Sequence, residues 1–190
     1  MTTTDRGSSR DRLLDAASDL FYREGAGIGV EALCQAAGVS KRSMYQLFGS
    51  KDELMAASLE RRGPAYQALL MTEDETGSPR GTILRVFERL EELAARPDYR
   101  GCPLVATAIE DKDPGHPASE VVRRHKQEMT NFFQRQAERG GARDPETLAQ
   151  QLTMVFDGAS ARAVVRAEPL RGLAVTTATA LLDAADIPRG

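Results

Sequence analysis

The sequence predicts an all-α protein of about nine helices, and three observations carry that expectation. Apolar residues recur at three- and four-residue steps along most of the chain. Ser, Asp, Pro and Gly stand where such segments begin and end, which are the positions where helices start and stop. No segment alternates apolar and polar residues over the length of a half-buried strand, and no internal repeat is visible.

The elements follow in order. Ser8 and Asp11 have the form of a capping box, and Leu13, Leu14, Ala17, Leu20 and Phe21 then trace one stripe of a first helix that Gly25 ends. A short second helix over 30–37 turns Leu33, Cys34 and Ala37 inward and stops at Gly38. Ser40 caps a short third helix, and Ser50 with Glu53 opens a fourth that ends or bends at Gly63-Pro64. The segment 73–81 is a loop by its turn residues, and Ile83, Leu84, Phe87 and Leu90 mark a fifth helix. A short sixth covers 103–110, and 111–117 is a connection. Val122, His125, Met129, Phe132 and Phe133 line a long seventh that ends at Gly140. Asp144 and Pro145 start an eighth helix running to about 167, and a ninth covers about 170–185.

Composition narrows the function classes. The chain has 190 residues and a formal net charge of -3, so any affinity for a polyanion must sit in a local patch. No apolar run approaches the roughly 18 to 20 residues of a membrane span, and the polar start fits neither a signal peptide nor an anchor. Cys34 and Cys102 stand alone in dissimilar contexts, which implies buried structural thiols in a reducing cytoplasm. There is no G-x-S-x-G, P-loop, H-E-x-x-H or paired cysteine, so catalysis and a bound cofactor have no positive signal.

The stretch "AAGVSKRSMYQLFGSKDEL" (36–54) departs from this acidic background. No Asp or Glu lies between Glu31 and Asp52, while Ser40, Lys41, Arg42, Ser43, Tyr45, Gln46 and Lys51 supply donors. Two short helices joined by a turn with Gly, the second capped by Ser, describe a helix-turn-helix. Its second helix would present Lys41, Arg42 and Ser43 to base edges or phosphates in a major groove. The N-termini of the third and fourth helices suit phosphate oxygens, and Lys51 adds a charge beside the latter. Short glycine-joined helices also occur simply as packing in all-α proteins, so the residues alone leave both possibilities open.

"LLDAASDLFYREG" followed by "VEALCQAAGVSKRSMYQLFGSKDELMAASL" resembles the N-terminal domain of the tetracycline-repressor (TetR/AcrR) family of bacterial transcriptional regulators, over about residues 10–62. The resemblance implies that the third helix is the recognition helix. It puts Tyr45 and Lys51 on backbone phosphates and Lys41, Arg42, Ser43 and Gln46 at sequence-reading positions. Ser40 caps that helix, and Ala37, Gly38, Val39, Leu47 and Phe48 fold the motif. Many members carry Thr just ahead of the second helix; this chain has Ile28 and Gly29 there. The rest of the chain resembles the family in length, helical character and the "GCP" at 101–103.

Family members sense a small ligand inside the C-terminal bundle, and the resemblance implies a pocket for an effector here. The candidates for lining it are Leu84, Phe87, His125, Met129, Phe132, Phe133 and Phe156, although such a stripe is also ordinary core. Asp111, Asp113, His116 and His125 are candidate metal ligands by type, in a segment that equally reads as a polar turn. The eighth helix is unusually free of charge and has small residues over 158–163, which implies burial on two sides. Paired with 173–185 it suggests a four-helix homodimer interface within about 145–185.

The expected organisation is therefore a flexible N-terminus (1–9), a helix-turn-helix DNA-binding domain (10–55) and a ligand-binding and dimerisation domain (56–190). The expected function is a cytoplasmic repressor, not an enzyme, that binds double-stranded operator DNA as a homodimer and is released by a small molecule. The alternative is an α-helical small-molecule or metal sensor, or an enzyme, without DNA binding.

Overall fold

In a computed structural model that describes residues 7–72, 77–110, 113 and 115–189, the described residues form nine α-helices and no strand. They are α1 (Ser9–Glu24), α2 (Val30–Ala37), α3 (Lys41–Phe48), α4 (Lys51–Leu70), α5 (Pro79–Ala94), α6 (Pro103–Glu110), α7 (Pro117–Arg139), α8 (Pro145–Arg166) and α9 (Leu173–Ala184). Residues 1–6 of the expected flexible N-terminus, 73–76 of the expected loop, and Asp111 lie outside the described residues. By packing, the described residues of Met1–Pro64 and Ala106–Arg123 form one compact unit, and those of Ala65–Val105 and Arg124–Gly190 a second.

In the first unit, α1 packs on α2 and α3. The core consists of Leu13, Leu14 and Ala17 from α1, Ile28 from the α1–α2 turn, Leu33, Cys34 and Ala37 from α2, Met44 and Phe48 from α3, and Leu54 from α4. The caps do what their residue types imply. The Ser8, Ser40 and Ser50 hydroxyls accept from the backbone N–H of Asp11, Ser43 and Glu53 at 3.1, 3.1 and 3.0 Å. The α2 start has no side-chain cap, as the Gly29 position implied. Arg61 joins α4 to α1 through Asp11 at 2.7 Å and Asp15 at 2.9 Å, while Arg62 donates to the Ser18 carbonyl at 3.0 Å.

Of the two alternatives at Gly63-Pro64 an end is excluded, and the start of α9 differs from the sequence expectation. α4 continues through Pro64 to Leu70, although proline has no N–H to donate and crowds the preceding turn. Leu70 is 1% exposed, and burying a leucine contributes about 1.5–3 kcal/mol, the same size as the proline penalty. α9 begins at Leu173 because Arg171 and Gly172 both take positive φ (53° and 84°) and turn the chain first.

In the second unit, α5, α8 and α9 pack on one another. Phe87 of α5 stacks on Phe133 of α7 with ring centroids 5.7 Å apart, and both are fully buried. The buried Arg80 guanidinium holds the chain's end, donating to the Ile187 carbonyl at 3.0 Å and to Asp183 Oδ1 at 2.6 Å. Arg189 and then Arg80 hold the Asp183 carboxyl below its usual range through these hydrogen bonds.

α9 has no capping side chain of its own, and Glu91 of α5 supplies one. Its carboxylate accepts from the backbone N–H groups of Gly172, Ala174 and Val175 at 2.5, 3.0 and 3.2 Å. A negative group at a helix N-terminus also meets the positive end of the helix dipole. Glu91→Ala is expected to lower stability by about 1–2 kcal/mol in urea unfolding, with Glu91→Gln losing less because its amide oxygen still accepts. Equal stability of all three proteins would contradict this role.

Candidate nucleic-acid interface

α3 is divided by its own periodicity. Met44 and Phe48, one helical turn apart, are 0% and 5% exposed and face the core. Lys41, Arg42, Tyr45 and Gln46 are exposed on the other side, and Ser43 is half-buried. Leu47, expected to help fold the motif, is instead 38% exposed, because it lies off the Met44–Phe48 line. Ser40 spends its hydroxyl on the cap and also lies 2.8 Å from the Ser43 hydroxyl, so these two serines are engaged with each other.

Two glycines set the entry and exit of this helix. Gly38 sits in the left-handed region (φ 61°, ψ 40°), letting Val39 N–H reach the Cys34 carbonyl at 3.0 Å and close α2. Gly49 (φ 70°) ends α3, donating to the Tyr45 carbonyl at 3.0 Å. Two further contacts hold the arrangement: Arg12 Nε donates to the Ala37 carbonyl at 3.1 Å, and the Arg10 guanidinium lies 4.7 Å from the centre of the Phe48 ring.

The cations of this face differ in their engagement. Lys41 Nζ donates to Glu31 Oε1 at 2.5 Å, with both side chains largely exposed. That hydrogen bond holds the Glu31 carboxyl below, and the Lys41 ammonium above, their ordinary ranges. Lys51 Nζ donates to the Ala26 carbonyl at 2.6 Å, tying the start of α4 to the α1–α2 turn. Arg42 makes no ion pair among the described residues. Cys34 is buried, and burial pushes its thiol up, away from a reactive thiolate. Sequence reasoning had not found Glu31, Ala26, Arg10 or Arg12. The available signal for Glu31 was its place in the first turn of α2, at the edge of the acid-free window.

In the second unit, six of the seven candidate pocket residues are buried: Phe87, His125, Met129, Phe132, Phe133 and Phe156. Leu84 is half-buried. Phe132 meets Phe133 edge-on at 5.8 Å and lines a cleft of about 230 Å³ with Gln67, Met71, Glu128, Asn131 and Arg135. Lys126 lies 5.0 Å from the centre of the Phe156 ring and pairs with Asp157. His125 Nδ1 lies 3.1 Å from Glu128 Oε2, and Gln67 donates to the same oxygen at 2.6 Å. An ionised carboxylate only accepts, so in the neutral imidazole this contact places the proton on Nδ1 and makes Nε2, buried and without a hydrogen-bond partner among the described residues, an acceptor.

Of the candidate metal ligands, Asp111 lies outside the described residues. Asp113 and His116 build the turn before α7: Asp113 Oδ1 accepts from Gly115 N–H at 2.9 Å and His116 Nδ1 from Ala118 N–H at 3.1 Å. His116 Nε2 lies 3.4 Å from Asp52. Among the described residues no three His, Cys, Asp or Glu side chains come together as a metal site would require.

Residues 13–58 match the model of the bacterial regulatory proteins of the tetR family. A solved structure from Streptomyces avermitilis, provisionally described as a TetR transcriptional regulator, is 58% identical. The match covers 96% of this chain and 100% of that chain, with a TM-score of 0.92. The chain belongs to the TetR family of bacterial regulatory proteins. A TetR-family transcriptional regulator of Streptomyces coelicolor is 25% identical over 94% of this chain and 95% of its own, with a TM-score of 0.80. The HTH-type transcriptional activator FasR of Mycolicibacterium smegmatis is 34% identical over 116 residues, 55% of this chain and 53% of FasR. The chain thus spans about half the length of the curated relatives it matches. The matched residues contain α2 and α3, the helix-turn-helix of the family, whose members also have a C-terminal helical domain. No described helix is long and apolar enough to cross a membrane.

Proposed function

We propose that this TetR-family regulator binds double-stranded operator DNA as a homodimer, represses the adjoining promoter, and is released by a small molecule held in the C-terminal bundle. The observation that carries the proposal is the outward face of α3, polar, cationic and free of acid, flanked by the N-termini of α3 and α4. Arg42 and Gln46 are exposed where base edges would be read, and Tyr45 is 44% exposed with its hydroxyl available to a phosphate. Lys51 spends one of three ammonium hydrogens on Ala26 and keeps two for a phosphate. Asp52 and Glu53 follow in the first turn of α4, where they complement the helix dipole. Function on chromosomal DNA implies a cytoplasmic protein.

Two recognition helices are needed to read successive major grooves, about 34–36 Å apart. A second apolar face on α8 and α9 supports pairing of two copies. Leu148, Leu152, Phe156, Ser160 and Ala163 of α8 face inward and are buried. On another side of the same helix Met154 is 68% and Val165 81% exposed, with Gly158 exposed between them. Leu173, Thr177, Ala180 and Ala184 continue an exposed, uncharged stripe on α9. Small residues on both helices allow close approach of a second copy. The interface face is therefore the Met154–Gly158–Val165 side, whereas Ala163 belongs to the internal core.

For the effector, His125 Nε2 offers a buried acceptor among Met129, Phe132 and Phe133 on α7. A ligand with an apolar body and one O–H or N–H group would satisfy it. Binding shifts the equilibrium between DNA-competent and released dimers only by its difference in affinity for the two.

The test is fluorescence anisotropy with duplexes from the region upstream of its own gene, with two chains expected per duplex. Arg42→Ala should cost about 1–3 kcal/mol on the preferred duplex and leave random DNA nearly unchanged. Lys51→Ala should weaken both and lower the salt dependence by about one ion. The reverse pattern would exchange their roles, and no binding by the wild type at low salt would end the proposal. Met154→Asp and Val165→Asp should each give folded monomers by light scattering and lose tight duplex binding. Dimers persisting in both would place the interface elsewhere.

A further inference from the structure

Glu31 has no use in the scheme above. It is an acid on the edge of a face that should avoid acids, it is 74% exposed, and it spends itself on Lys41, ten residues away. Lys41 is itself 54% exposed in the first turn of α3, where the helix enters a groove. An exposed ion pair of this kind contributes little to stability, so folding does not explain it. The core of the same unit needs neither residue, since α2 and α3 are held by Leu33, Cys34, Ala37, Met44 and Phe48.

Resting on the proposed reading of α3 as the DNA-facing helix, we propose that Glu31 is a specificity-determining residue that holds Lys41 for a guanine and penalises other sequences. An ammonium has three hydrogens and no acceptor. One is taken by Glu31 Oε1, and two remain for the O6 and N7 acceptors that guanine shows in the major groove. Glu31 thus need not be released for the correct base to be read. A duplex without guanine at that point gains nothing from the held lysine, and its phosphates meet a neutralised ion pair instead of a free ammonium. The general attraction of DNA for a free Lys41 is lost at the same time, because a lysine bound to Glu31 neutralises no phosphate. Glu31 therefore lowers affinity for random DNA more than for the operator, which widens the ratio between them. The hydrogen bond from Lys41 holds the Glu31 carboxyl below its ordinary range, in keeping with an ionised partner for the lysine at neutral pH.

The experiment compares the wild type, Glu31→Gln, Lys41→Met and the double variant. Duplexes selected by the wild type from a random pool, and an unselected random duplex, are titrated by anisotropy at several KCl concentrations. The wild type is expected to select guanine at one position of each half-site. Glu31→Gln is expected to bind the random duplex several-fold more tightly, with a salt slope steeper by about one ion, and to lose about 5- to 100-fold of the guanine preference at that position alone. Lys41→Met loses the same preference, and the double variant loses no more than Lys41→Met does. Glu31 is exposed and Gln has its shape, so an unchanged melting temperature accompanies the effect. The proposal is overturned if Glu31→Gln leaves random-duplex affinity and base preference as in the wild type, or weakens every duplex alike. Absence of wild-type binding to any duplex overturns the regulator reading, and this proposal with it.

Discussion

Met44 and Phe48 are the two side chains by which α3 is anchored in the first unit, and burying them orients everything else on that helix. An eight-residue helix is too short to be stable alone in water, so α3 exists because this apolar pair packs on α1 and α2. Once the pair is buried, the 3.6-residue repeat leaves Lys41, Arg42, Tyr45 and Gln46 facing outward together. Gly38 and Gly49 allow the sharp entry and exit, and Arg12 clamps the turn through the Ala37 carbonyl. The orientation of the outward face of α3 thus derives from the core beneath it.

Charge in this face is rationed. Lys51 is tied to a backbone carbonyl and Lys41 to Glu31, while Arg42 is left without an ion pair among the described residues. A cation with a fixed partner is pre-positioned and loses less freedom when DNA arrives. A free guanidinium can choose a bidentate partner instead, which suits it to reading a base. A chain with a net charge of -3 has no general attraction for DNA to spend, so the placement of each cation matters more than their number.

Much of this was legible in the sequence because it depends on near neighbours. The end of α2 and the start of α3 follow from Gly38 and Ser40, and the caps at Ser8, Ser50 and Asp144 were readable as types and spacings. The family emerged from the same local signals. The illegible parts are those decided at a distance. Whether Pro64 ends α4 depends on the burial of Leu70, and the cap of α9 comes from Glu91, far away in the chain. The face of α8 that points inward could not be told from its small residues, since Ala163 and Ala161 look alike in sequence and only the former is buried. Glu31 escaped notice because pairing across a helix-turn-helix needs the angle between the helices, which the sequence does not print.

The central claim is that the outward face of α3, doubled by pairing, lies in two successive major grooves on one side of a duplex. Hydroxyl-radical footprinting on the DNA upstream of the gene tests it most directly. The account predicts two short protected tracts per strand, centred about one helical turn apart and offset across the minor groove. Uniform protection, a single tract, or none at low ionic strength would contradict it.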